Sequence, residues 1–564
     1  MTTELTPVES RGQDPLFVAH CSLNGLRHRL PLPWPTPPDT PPSPKKAYRS
    51  AYIYQGWRDL EKPATWEHAS DFDLLLYSVD FSGLRPVLAQ LLGWTSARGW
   101  KPFDPLSLFL LQGWQITNGW TRSQTLRNLR DPRYADYARR FGFHDGDYPT
   151  EGGLRHFLYA LGQHSTTDET VTLDEGQHGA DGAPAHIAVQ RLNQLLVQSV
   201  TLLQQAGFIS AAAWKEALLC PDGMLHEAAS ALRCPAVTET CYQPTSAQQP
   251  RPCPAKEKGQ QGCDCDTAAC ASSCRRATVR DPEARFVWYS GSNQADAPPQ
   301  PADAPHGKGV YGYRSLPLQF IDPVRRFSLI LLDDFRPANE HEEQPVAALL
   351  RQLKTNYPSL QVAAVAGDAG LGYDIVLSTV YEHLHARRLI DLRAHATDRD
   401  KEQWTLRRYD DRGRPLCTYG YAFTANGYER ERQRHKWLCG QACRHGASPI
   451  VNLPDVLYPP EACPYRAPDH PHGQIINVGE RFADGSIRLV RDLPVDTPEW
   501  KRLYHRARNA VESRNANFAR WRLKRLPVYG QTRGKALIFQ ADVWSNLTTL
   551  ARLMREATLT AAVT

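Results

Sequence analysis

The sequence predicts an α/β fold, and three observations carry that expectation. Short apolar runs of strand length, among them Phe327–Leu332, Leu360–Ala366 and Leu389–Arg393, are interspersed with segments whose apolar residues recur at helical spacing. No apolar run approaches the roughly 20 residues of a membrane helix. At 564 residues the chain exceeds one ordinary domain and asks for about two to four compact units.

Residues 1–50 are expected to be disordered, because Pro31 to Pro44 holds eight prolines in fourteen positions, a composition for extended linker rather than core. The beginning of the chain has neither a basic stretch nor an apolar one, so no signal peptide is expected. Residues 51–165 read as helical. Leu88–Leu92 and Pro105–Gln112 show helical spacing, Ser123 is placed to cap a short basic helix, and Tyr148–Phe157 reads as a helix entry presenting arginine. Residues 166–186, acidic and rich in Gly and Thr, read as a linker. The remainder, 187–564, reads as one α/β domain. It opens on a helical segment, Ile187 to Ala206, and contains strands near Val310–Leu318 and at the three runs above, with a helix over Pro345–Leu353. Two insertions interrupt it, at 226–306 and 396–497, the second with strand-like alternation in Trp404–Tyr409 and Thr418–Phe423.

Both insertions carry cysteine. The first holds seven cysteines between Cys234 and Cys274 with few other apolar residues, so they do not form a hydrophobic cluster. Cys263, Cys265, Cys270 and Cys274 offer enough thiolates for a tetrahedral Zn2+ site. In the second, Cys439, Cys443 and Cys463 form a similar set, with Cys417 or a histidine, His435 or His445, as fourth ligand. A redox-sensing cluster is the competing reading. A cytoplasmic location is expected, in which cysteines serve as thiols or metal ligands rather than disulfides.

The net charge of +6 is modest, but the positive charge is concentrated in Arg122–Arg155 and towards the C-terminus. Aromatics interleave both runs: Tyr134, Tyr137, Phe141 and Phe143, then Phe518, Trp521 and Tyr529. That mixture points to phosphate tracking along nucleic acid.

Three acids stand out by context. Asp222 follows a short apolar run and opens an Asp-Gly turn, and Asp368 ends the run Leu360–Ala366 in Ala-Gly-Asp-Ala-Gly. Glu512 is the single acid among 11 Lys and Arg residues between Lys501 and Lys535. Tyr504, Arg508 and Glu512 recur every four residues and so share one helix face. Acids from two strand ends and a nearby helix can hold two Mg2+ ions ~3.5–4 Å apart at a phosphate. Asp333 and Asp334, just after an apolar strand, are the chief rivals for the carboxylate roles.

The order Asp, Asp, Glu, the Asp-Ala-Gly-x-x-Tyr-Asp run at Asp368 and the Tyr/Arg/Glu helix resemble DDE transposases of bacterial insertion sequences. The resemblance is to the group with a Tyr/Arg/Glu/Lys signature on its last catalytic helix. That group places its arginine three residues after the tyrosine and its lysine seven after the glutamate. Here Arg508 lies four after Tyr504, and Ala519 followed by Arg520 stands at the lysine's place. The resemblance implies a ribonuclease-H-like core with Asp222, Asp368 and Glu512 as ligands of catalytic Mg2+ (or Mn2+), and a helical N-terminal DNA-binding domain at 51–165. It further implies Tyr504, Arg508, Arg520, Lys524 and Arg525 as DNA contacts, with the β-rich insertion at transposon-end DNA. The partners implied are double-stranded DNA, as terminal inverted repeats and target, and a second copy of the chain when two ends are synapsed. The alternatives are a non-catalytic DNA-binding protein descended from such an enzyme, and a metal-dependent nuclease without strand transfer.

Overall fold

The computed structural model describes residues 31–40, 48–55, 68–94, 101–173, 186–229, 281–289, 308–390, 414–450, 461–479 and 498–563, apart from 145, 165, 323, 324, 418, 433 and 462. The chain is mixed α/β. Its main sheet has five strands: β1 (Ala217–Pro221), β2 (Leu318–Ile321), β3 (Ser328–Leu332), β4 (Val362–Gly367) and β5 (Arg387–Ile390), in the spatial order β3-β2-β1-β4-β5. β2 runs antiparallel to β1 and β3 antiparallel to β2, whereas β4 is parallel to both β1 and β5.

Both sheet faces are covered, which explains why these strands read as continuous apolar runs. One face meets helix α2 (Pro498–Arg520). Leu218 and Cys220 of β1, Ile321 of β2, Ala364 and Ala366 of β4 and Leu389 of β5 pack with Trp500, Ala507 and Val511 of that helix. The alanines of β4 leave room for the helix to cross close to the sheet. The other face carries Leu219, Phe320, Val365 and Ile390 into the main core, with helix α1 (Glu343–Asn356) supplying Val346, Leu349, Leu350 and Leu353. The expected strand 310–318 divides at Pro317. Its first part, Lys308–Ser315, joins a second sheet with Met224–Glu227, Arg285–Tyr289 and Phe335–Pro337, and its second part is β2.

Helix α3 (Gln531–Val563) ties the molecule together. Its Trp544 is buried among Phe72, Phe81 and Phe109 of the N-terminal helices, with ring centroids 5.1, 6.2 and 5.7 Å away. A methyl built on Gly113 would lie 2.0 Å from the same indole, so only glycine admits it there. Asn546, farther along α3, hydrogen-bonds both backbone groups of Ile330 in β3. The N-terminal helices, Asp71–Ser78 to Glu151–Gln163, therefore share one continuous core with the sheet.

Three sequence expectations change here. The proline-rich segment is extended but fastened: Leu32–Pro33 pairs with Val79–Asp80, and Trp34 is buried, stacked on Phe81 and donating Nε1 to Gln198 at 2.7 Å. Residues 166–172, expected as linker, form a strand antiparallel to His186–Gln190, which displaces the start of the following helix to Asn193. β-Branched threonines and Val171 suit that pairing despite the acidic neighbours. Finally, Phe141, Phe143, Phe518 and Trp521 are buried, and Tyr137 stacks on Trp114 while donating to Asp73. These aromatics are core, and Arg140, between Tyr137 and Phe141, is buried with them over the Tyr77 ring.

The second insertion does contain strands. Thr424–Glu429, Arg434–Leu438 and Ile475–Gly479 make an antiparallel three-stranded sheet around a small core of Phe423, Trp437, Cys439, Ile476 and Val478. Trp404–Tyr409 and most of the first insertion, including all seven of its cysteines, lie outside the described residues.

Candidate active site

β1 ends at Pro221 and β4 at Gly367, so Asp222 and Asp368 are the next residues on two neighbouring parallel strands. Val365 is paired with Leu219, and continuing that register brings Asp368 level with Asp222. Asp222 is held at the sheet edge by its N–H, which donates to the Pro317 carbonyl at 3.2 Å. A short 3-10 turn, Ala369–Leu371, follows Asp368.

Arg508 of α2 reaches down to this pair. Its Nη1 donates to Asp222 Oδ1 at 2.7 Å, with the aspartate side chain 11% and the arginine 25% exposed. Burial works against the guanidinium's charge, yet Asp222, Cys220 and Asp368 together raise its pKa. Asp368 is pushed up, first by burial and also by Asp222, against the lowering effect of Arg508. The backbone N–H groups of Gly370 and Leu371, in the turn that follows, also lower it.

Glu512 sits one turn beyond Arg508 on the same helix, exposed, with Asn515 Nδ2 3.5 Å from its Oε2. Thus one helix lies across both aspartates and bears the third acid. Tyr504 departs from expectation. Instead of pointing out beside Arg508, it stacks on Trp500 at 4.2 Å and packs against the sheet. Arg520, Lys524 and Arg525 are exposed at and beyond the end of α2, where Arg520 bonds Asn517 and Arg525 bonds the Ala229 carbonyl.

The rival acids are spoken for. Asp333 is fully buried against Arg514, and Asp334 pairs with Arg336 at 2.7 Å. A different acid does approach: Glu342, just before α1. Its carboxylate oxygens lie 2.9 and 3.0 Å from where a methyl on Gly223 would stand, and Arg314 Nη1 pairs with its Oε1 at 2.9 Å. In the sequence it reads as an ordinary acid at a helix start, where the helix dipole favours negative charge.

Cys417, Cys439, Cys443 and Cys463 are unbridged thiols. Those of Cys417 and Cys443 are each pushed up by burial first and then by Cys439 and Cys463. Among the described residues no group of three or more His, Cys, Asp or Glu is arranged to hold a metal ion as it stands. At the two aspartates Arg508 supplies the positive charge. The chain matches no family model, no curated protein and no solved structure.

Proposed function

We propose that this protein is a DNA transposase of the DDE type, cleaving phosphodiester bonds at the ends of an insertion sequence and joining them to target DNA. One observation carries the reading: Asp222 and Asp368 leave neighbouring parallel strands side by side, beneath Arg508 of the helix that also bears Glu512. A mixed sheet with that helix across one face is what a ribonuclease-H-like core requires, and we read residues 187–564 as one. Asp222, Asp368 and Glu512 would hold Mg2+ (or Mn2+), and the two aspartates at neighbouring strand ends fit that role. When bound, the metal supplies charge stabilisation at phosphate and an activated oxygen nucleophile. Arg508 neutralises Asp222, and once released from it the same guanidinium can face a phosphate. Arg520, Lys524 and Arg525 extend the positive charge along the protein surface, as a DNA backbone track requires. Two element ends imply a homodimer on paired DNA in the bacterial cytoplasm, at the nucleoid. No helix among the described residues is long and apolar enough to cross a membrane.

The test uses the DNA that flanks the reading frame. Full-length protein with Mg2+ is expected to nick fragments carrying the flanking inverted repeats and to join the freed 3′ ends to a target plasmid. Specific binding without cleavage would favour a non-catalytic descendant, and cleavage without joining a nuclease. Failure to bind or cut these fragments would sink the proposal.

The same reading gives the cysteine-bearing insertions a structural Zn2+; at the second, Cys439 and Cys463 help to raise the Cys417 and Cys443 thiols. A core of five residues is small to hold three strands unaided. Freshly reduced protein, purified without chelator, is expected to carry about one or two Zn2+ per chain. Elemental analysis that finds none would remove zinc from the account.

A further inference from the structure

Arginines from three segments of the chain meet where the helices Arg122–Arg130 and Glu151–Gln163 adjoin the start of α3. A methyl built on Gly162 would lie 2.0 Å from the Thr532 carbonyl oxygen, so the second of these helices passes hard against the α3 backbone. Arg533 lies over the Tyr159 ring, 5.1 Å from its centroid, and its Nη1 donates to the Tyr529 carbonyl at 3.3 Å. Arg122 donates from Nη2 to the Pro527 carbonyl at 3.1 Å, so both side chains rest on one short loop. Arg155 stands one turn before Tyr159 and pairs with Glu151 at 3.3 Å. Glu151 in turn accepts from the hydroxyl of Ser123, the neighbour of Arg122.

Packing alone does not call for this cluster. Burial first, and then Arg155 and Arg533, hold the Arg122 pKa below its usual value, while Glu151 opposes them. Arg122 and Arg533 also occupy the first turns of their helices, where the macrodipole disfavours a cation. The acids at hand are already engaged: Glu151 as above, and Glu283 by the Gln531 N–H at 2.7 Å. Tyr159 and Tyr529 beside the arginines are two of the five large apolar side chains exposed among the described residues. The surface is continuous with the basic residues at the end of α2, because a methyl on Gly119, three residues before Arg122, would lie 3.3 Å from the Arg520 carbonyl oxygen. A small anion would use one part of such a row, whereas a regularly charged backbone meets it along its length.

We propose that Arg122, Arg155 and Arg533, with the Tyr159 ring beside them, form a second grip on the phosphate backbone of duplex DNA, carrying the track from the end of α2 onto the N-terminal helices. This rests on the reading of the protein as a DNA binder, but it asks nothing of the aspartates or of a metal.

The experiment is binding of the full-length protein to a fluorescent duplex of arbitrary sequence, without divalent cation, over a range of NaCl concentrations. Thermal melts check that each variant is folded. The triple variant Arg122→Gln, Arg155→Gln, Arg533→Gln is expected to weaken binding whatever the sequence, and to flatten the dependence of log K on log salt by about one unit per arginine. Single variants separate this from a structural role, at side chains 55% and 40% exposed. Arg155→Gln should weaken binding and Glu151→Gln should tighten it, whereas loss of a merely structural ion pair would make the two act alike. This opposition decides the matter if the triple variant does not fold, and any other pattern in the singles overturns the proposal. So does a folded triple variant with wild-type affinity and salt dependence. If Arg520→Gln with Lys524→Gln weakens binding while the triple variant does not, the DNA reading stands and the second grip falls. Wild-type protein that binds no duplex would overturn both.

Discussion

Asp222→Asn and Asp368→Asn are each expected to reduce Mg2+-dependent cleavage of element-end DNA below detection, a loss on the order of 10³-fold or more. An amide keeps the size of the side chain but removes the negative charge that a hard cation needs. DNA binding should persist, because the exposed basic residues at and beyond the end of α2 are untouched. The fold should persist as well. In Asp222→Asn, Arg508 keeps the attraction of Asp368, and in Asp368→Asn it keeps its 2.7 Å bond to Asp222. Glu512→Gln makes the sharper distinction. That residue is exposed and bonds only weakly to Asn515, so loss of cleavage in it reports on chemistry rather than stability. A variant that cuts at near the wild-type rate would remove its residue from the site.

Arg514→Met is expected to destabilise the protein by roughly 3–5 kcal/mol, the cost of breaking a buried ion pair from one side. Arg514 is fully buried. Its Nε donates to Asp542 of α3 at 2.6 Å, and its Nη2 lies 3.4 Å from Asp333 and 3.2 Å from the Ser315 hydroxyl. The guanidinium also sits 4.1 Å from the ring centroid of Phe518. Methionine fills much of the volume but leaves two carboxylates buried without a cation. Burial and Asp542 already push Asp333 well up, so it would take a proton. Urea denaturation gives the measure, and adding Asp333→Asn and Asp542→Asn should restore part of the loss. A single variant as stable as the wild type would show that the network contributes no stability. Six residues separate Arg514 from Arg508, which places them on different faces of α2. The buried network therefore fixes the roll of the helix that presents Arg508 to Asp222.

The strands that carry the two aspartates were legible because each is an apolar run broken by glycine or proline next to the acid. Their adjacency was not, since pairing β1 with β4 is a long-range event that no local pattern records. Glu512 was visible as one acid among bases, whereas Glu342 could not be told from an acid placed for a helix dipole. The aromatics among the arginines misled for a physical reason. A helix with a buried aromatic face and a charged outer face has the same composition as a surface that stacks bases. Thr166–Thr172 misled in a similar way, because its acids suggested solvent while its many β-branched residues favour a strand that finds its partner beyond 185.

Helix α3 also has a consequence for how the molecule is made. Phe72 and Phe109 leave the ribosome long before Trp544, the residue that covers them. At roughly 5–20 residues per second the interval amounts to tens of seconds. During that time the early helices lack the indole against which Phe72 and Phe109 pack. The nascent chain is thus a natural client for chaperones that shield apolar surfaces, and ribosome stalling before residue 531 should leave a protease-sensitive, aggregation-prone N-terminal half.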